Sequence, residues 1–76
     1  MKINIEKISD KLYKIYIEKN NKKIILTFAE KTLIDMINNN DFIILQDGFG
    51  NKINLSTFEF LNFLEYLKNY FQDKIF

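Results

Sequence analysis

The chain contains no cysteine, histidine, proline or tryptophan, and only two glycines. Arginine and valine are also missing, and Ala29 is the sole alanine. Without cysteine there is no disulfide framework and no thiolate metal site. A disulfide-free chain of 76 residues fits a reducing compartment, so a cytoplasmic location is expected. Without histidine no side chain is poised by default to exchange protons near neutral pH, and without arginine nothing grips a carboxylate or phosphate in two places at once. The first twenty residues carry Lys2, Glu6, Lys7, Asp10, Lys11 and Lys14 through every apolar stretch, which excludes a signal-peptide core. No segment approaches the roughly 20 apolar residues of a membrane-spanning helix.

What is present is lysine, asparagine, isoleucine, phenylalanine and tyrosine, the amino acids with AT-rich codons. The composition is that of an AT-rich genome, as in low-GC bacteria, their phages and plasmids, or some protists. The core must come from Ile, Leu, Phe and Tyr, and a chain this short buries only about 60% of its unfolded surface. Net charge is +1, unevenly placed. Residues 1–31 hold eight lysines against Glu6, Asp10, Glu18 and Glu30, whereas residues 32–76 hold Lys52, Lys68 and Lys74 against six acids. A basic first half and an acidic second half favour a steered partner or head-to-tail self-contact over uniform affinity for polyanions.

The clearest organisational signal is an approximate repeat with an offset of 29 residues: Lys23 to Glu30 lies over Lys52 to Glu59. Each copy reads as a short strand followed by a hydroxyl residue, Thr27 or Ser56, with Glu three positions on. That spacing is a capping box, in which the hydroxyl accepts a first-turn N–H while the Glu reaches back to the cap's own N–H. Helices are therefore predicted to begin near Phe28 and near Thr57. Upstream, Leu12 to Glu18 alternates Tyr13, Ile15 and Ile17 with Lys14, Tyr16 and Glu18, the period of a half-buried strand. Lys19-Asn20-Asn21-Lys22 supplies its turn, since Asn tolerates positive φ. Lys2 to Ile8 adds a strand before it. In the second half Phe42-Ile43-Ile44-Leu45 reads as a covered strand, and Asp47-Gly48-Phe49-Gly50-Asn51 as a turn.

The predicted order is β-β-β-α-β-β-α, a small antiparallel α+β fold occupying residues 1–76 as one domain. The first helix should face Leu33, Ile34 and Ile37 inward and end at Asn38-Asn39-Asn40. The second, roughly Thr57 to Gln72, carries one apolar stripe of Phe60, Leu64, Leu67 and Phe71, with Leu61 and Ile75 at its edge. Phe63, Tyr66 and Tyr70 form an adjacent stripe, and Asn62, Glu65, Asn69, Gln72 and Asp73 mark the solvent face. So wide an apolar circumference exceeds what a small sheet needs to cover it.

Catalysis is not expected. Thr27 and Ser56 are assigned to caps, leaving Ser9, Thr32 and Thr57 as hydroxyls without a base, and no nucleophile, base and orienting group coincide. Asp35, Asp41, Asp47 and Glu59 lack calcium-loop spacing, so no metal and no cofactor are expected. Gly48 and Gly50 are followed by neither a Walker lysine nor a dinucleotide fingerprint, and Phe49 between them is a candidate anchor at a hairpin tip. Lys14, Tyr16, Lys19, Lys22 and Lys23 make a basic and aromatic patch of the kind that tracks phosphates and stacks on bases in single strands. Gly50 to Leu61, Gly-Asn-Lys-Ile-Asn-Leu-Ser-Thr-Phe-Glu-Phe-Leu, is similar to the last strand and helix start of the single-stranded-DNA-binding transcriptional coactivators and purine-rich-element-binding proteins. That resemblance implies a curved antiparallel sheet presented to DNA and a dimer formed through the following helix.

Tyrosines with an apolar face and a polar tip are enriched at interfaces, which singles out Phe63, Tyr66 and Tyr70 as partner-binding residues. The sequence therefore points to a non-catalytic, stoichiometric protein-binding module. Small inhibitors of phages and mobile elements, such as anti-CRISPR and immunity proteins, work in this way, as do accessory subunits. A homodimer through residues 57–72 is a close variant. The alternative is a single-stranded nucleic-acid-binding protein using the basic hairpin. No membrane partner is expected.

Overall fold

The computed structural model describes residues 1–39 and 45–74. Alternation of apolar and polar side chains builds the first half into three antiparallel strands, β1 (Lys2–Ser9), β2 (Leu12–Lys19) and β3 (Lys22–Ala29), with β2 central. The turn between β2 and β3 is the one the asparagines predict. Asn20 and Asn21 both take positive φ, 51° and 65°, the conformation of a two-residue turn whose twist matches its strands. Register follows the alternation: Ile3, Ile17 and Ile24 form one cross-strand row and Ile5, Ile15 and Leu26 the next, all on one face. The opposite face carries Lys2, Glu18 and Lys23, then Asn4, Tyr16 and Ile25, then Glu6, Lys14 and Thr27.

Helix α1 (Glu30–Asn39) follows β3 directly and buries Leu33, Met36 and Ile37, with Ile34 half-buried. The first of the two predicted capping boxes does not form. Thr27 lies inside β3, opposite Lys14, and strand pairing continues through Ala29, so the helix begins at Glu30 and not near Phe28. Its start is fixed instead by long-range bonds: the Glu30 N–H donates to the Lys11 carbonyl at 2.9 Å, and the Tyr13 hydroxyl donates to the Glu30 carboxylate at 3.1 Å.

A separate two-stranded ribbon, β4 (Leu45–Gln46) and β5 (Lys52–Ile53), precedes helix α2 (Thr57–Tyr70) and a closing turn of 3-10 helix, Gln72–Lys74. The predicted strand Phe42 to Leu45 falls largely outside the described residues, as do Asn40, Asp41 and Ile75; of it, Leu45 is buried and paired with Ile53. The second capping box is present in full. The Ser56 hydroxyl accepts the Glu59 N–H at 3.2 Å, and the Glu59 carboxylate accepts the Ser56 N–H at 3.0 Å.

The course of α2 follows from its two ends. Glu59, near its start, holds Lys19 at the end of β2, while Tyr70 and Phe71 pack edge-on against Tyr13 at the beginning of β2, with ring centroids 6.0 and 5.1 Å away. The helix therefore lies along β2 in the opposite direction, over the apolar face of the sheet. Eleven helical residues rise about 16 Å and six strand residues about 20 Å, so the two elements match in length. Phe60, Phe63, Leu64, Leu67 and Phe71 of this segment join Ile5, Tyr13, Ile15, Ile17, Ile24, Leu26 and the buried residues of α1 in one core. Replacing Ser56 by Ala should lower stability by about 1 kcal/mol. Thermal unfolding followed by circular dichroism should register it as a fall in Tm of roughly 4–8 °C.

Candidate interaction surface

The helical stripe singled out for partner binding divides in the structure. Phe63 is fully buried at 0% exposure and belongs to the core, which removes it from any contact surface. Tyr66 and Tyr70 remain 36% and 45% exposed. Phe63 sits mid-helix over the sheet, whereas Tyr70, at the helix end, lays one edge on Tyr13 and Phe71 and leaves the rest open.

The exposed tyrosines belong to a row that cuts across the two apolar stripes. Phe58, Asn62, Tyr66 and Tyr70 are spaced four apart and so form a single ridge along the flank of α2. Phe58 is 72% exposed. The ridge overhangs the start of β1, where Met1, Ile3, Phe58, Glu59, Asn62 and Tyr66 line a groove of about 450 Å3. The available signal was the spacing of four itself, masked because Phe58 precedes the amphipathic stripe and Asn62 interrupts it.

Phe49 projects from the tip of the β4–β5 turn with 92% of its surface open. The tip is held from below: the Asp47 carboxylate accepts the N–H groups of Phe49 and Asn51 and the side-chain amide of Asn51, each at 2.9 Å. Those bonds, the Asn51 amide foremost, lower the Asp47 pKa. Gly50 supplies the positive φ, 86°, that the turn requires.

The basic hairpin is less available than its sequence implies. Lys19 is a structural tie: its ammonium group donates to the Asn54 carbonyl and to the Glu59 carboxylate, both at 2.7 Å. Lys23 lies 3.5 Å from Glu18, and the Tyr16 hydroxyl donates to Glu6 at 2.8 Å, which raises the tyrosine pKa. Lys22 is exposed at the turn, and Lys14 is half-buried on the outer face opposite Glu6 and Thr27. The five residues thus do not form one cationic patch, because carboxylates are interleaved with them. Among the described residues no group of acidic side chains is arranged to hold a metal ion, and no helix is long and apolar enough to cross a membrane.

No family model, curated protein or solved structure matches the chain. The segment resembling the single-stranded-DNA-binding coactivators maps onto a two-residue strand, β5, and the start of α2, apart from the three-stranded sheet.

Lys19, followed by the Ser56 N–H, draws the Glu59 carboxyl down to about 2 from its usual 4.5. A carboxyl whose pKa is depressed by folding stabilises the fold fully above the unfolded value, and that stabilisation is lost as pH falls through the folded one. Stability should therefore decline between pH 4.5 and about 2, and in Glu59→Gln the part of this slope due to Glu59 should vanish. Urea titrations across that range measure it, and Lys19→Met should flatten the slope in the same direction.

Proposed function

We propose that this chain is a non-catalytic binding module that acts stoichiometrically on a protein partner through the α2 ridge and the Phe49 tip. The observation that carries the reading is the surplus of aromatic surface on one flank of a helix whose other flank already closes the core. Phe58, Tyr66 and Tyr70 stand exposed along a single ridge beside Met1, itself 47% exposed. Scattered exposed apolar side chains are ordinary, but three large aromatic side chains on one ridge beside a groove favour an interaction site. Tyr and Phe are the residues that anchor such contacts, because they bring large area at low cost in side-chain entropy. The lack of histidine, cysteine and arginine fits a protein that occupies a surface and does no chemistry. An inhibitor or accessory factor of a phage or mobile element, the anti-CRISPR and immunity proteins being examples of the type, is the biological role this reading favours, within the cytoplasm.

The competing reading, single-stranded nucleic-acid binding, has one observation in its favour. The outer face of the sheet holds an open groove of about 540 Å3 with Tyr16 and Ile25 at its centre and Lys2 and Lys23 at its rim. Glu18 shares that rim, and its negative charge sets this reading second.

Replacing Tyr66 and Tyr70 together by Lys should leave the far-ultraviolet dichroism unchanged and abolish capture of the partner from a lysate of the source organism. Capture that persists in the double variant would count against the ridge. For the second reading, fluorescence anisotropy with labelled single strands should show affinity falling steeply as salt rises and weakening on replacement of Lys22 and Lys23. Flat curves at low salt would dismiss it.

A further inference from the structure

Among the three strands, β1 is the least covered. Ile5 is its one buried residue, against Tyr13, Ile15 and Ile17 in β2 and Ile24 and Leu26 in β3. It is also an edge strand, bonded among the described residues to β2 alone. Edge strands of this length usually carry devices that prevent pairing with another chain, such as bulges or inward-pointing charges. Here both devices sit at one end. The ladder with β2 slips between Lys7 and Ser9, and Lys7 occupies an inner-face position, in the row of Tyr13 and Phe28. The other end, Lys2 to Glu6, has neither.

We infer that the first half of β1 pairs antiparallel with β1 of a second copy of this chain, joining two three-stranded sheets into one of six strands and covering the α2 ridges against each other. The inference rests on the ridge being a contact surface and names its occupant. A two-fold axis perpendicular to the sheet keeps the covered faces on the same side, which requires residues of the same facing to stand opposite. With Asn4 on the axis, Lys2 lies opposite Glu6 of the second copy and Glu6 opposite its Lys2, on the outer face. Ile3 then lies opposite Ile5 of the second copy on the inner face. Moving the axis to Ile5 instead sets Lys2 against Ile8 and Ile3 against Lys7, so charge and hydropathy select the first register. Pairing in that register ends at Lys7, where the bulge begins.

The helices fit the same geometry. α2 lies along β2, and β2 of each copy is separated from the other by three strand spacings, about 14 Å. Helices in direct contact pack at about 8–10 Å. The remaining gap lies above β1, where the groove lined by Met1, Ile3, Phe58 and Tyr66 opens. Large aromatic side chains from both ridges fill it, where a narrower gap would have demanded small residues.

The chain has no cysteine, so Asn4→Cys introduces a single thiol on the axis. Opposed Cα atoms about 4.5–5.5 Å apart lie within disulfide range. Mild oxidation of dilute Asn4→Cys should give a covalent dimer, while Lys22→Cys, at the far turn, should stay monomeric. Light scattering on the unmodified chain should show mass rising towards two chains with concentration. Lys2→Glu, which sets like charges opposite each other twice, should weaken this on the order of tenfold, and adding Glu6→Lys should restore it. Circular dichroism checks that both variants stay folded. A single-chain mass at every concentration, or cross-linking no faster in Asn4→Cys than in Lys22→Cys, would overturn self-pairing. If capture of a foreign protein still depended on Tyr66 and Tyr70 in that case, the binding-module reading would stand with a different occupant at the edge. A dimer indifferent to Lys2→Glu would also overturn the proposed register.

Discussion

The junction of Lys19, Glu59 and Ser56 orients everything else in this molecule. A three-stranded sheet has two faces and the described helices cover one, so the helix that lies along β2 must arrive at a defined angle. Lys19 ends β2, Asn54 belongs to the segment entering α2, and Glu59 closes the helix cap; one ammonium group binds the last two at 2.7 Å. The Glu59 carboxylate thereby caps its own helix and ties that helix to the sheet. At the other end of α2, Tyr13 receives Tyr70 and Phe71. With both ends fixed to β2, the apolar side of the helix has one place to go. A surface ion pair contributes little on its own. This one is only about a quarter exposed and is joined to a cap and a backbone carbonyl, so its parts are ordered by each other.

Local chemistry made most of the fold legible. Period-two alternation located β2, the repeat located β3, the paired asparagines located the turn between them, and with the strand read at Lys2 to Ile8 the order of elements followed. The two copies of the repeat show where such reasoning stops. Thr27 and Ser56 have the same spacing to Glu, yet only Ser56 caps a helix. β5 ends at Ile53, leaving Ser56 free to take extended backbone at φ −68° and ψ 166°. Thr27 stands in a ladder that β2 continues through Ala29, and satisfied strand pairing outweighs a local cap. The deciding information, the length of β2, lies a dozen residues earlier in the chain.

The surface was less legible, because exposure depends on contacts distant in sequence. Lys19 reads as one more lysine in a basic hairpin until a carboxylate 40 positions away claims it. Phe63 and Tyr70 project from the helix in nearly the same direction, but the sheet lies beneath the first and ends beneath the second. A projection at a fixed angle per residue treats the helix as uniform along its axis, and the small sheet is not. Phe58 shows the opposite case, since the first turn of a helix is where a polar residue is expected and where a phenylalanine at 72% exposure is hardest to explain by packing.

These surface features share one location. The core thins from β2 towards β1, the α2 ridge overhangs that same side, and the protective bulge and inward charge of β1 lie at the end away from the groove. A domain of this size has little apolar surface to spare, since only about 60% of what it exposes unfolded is ever buried. Spending phenylalanine and tyrosine on an uncovered flank lowers the stability of an isolated chain and invites aggregation. That arrangement becomes favourable once another surface covers the flank, because the side chains left open by the small sheet are then buried without enlarging the fold. In the proposed dimer the edge of β1 and the ridge of α2 act as two halves of one contact, with backbone hydrogen-bonding groups on one side of the groove and aromatic area on the other.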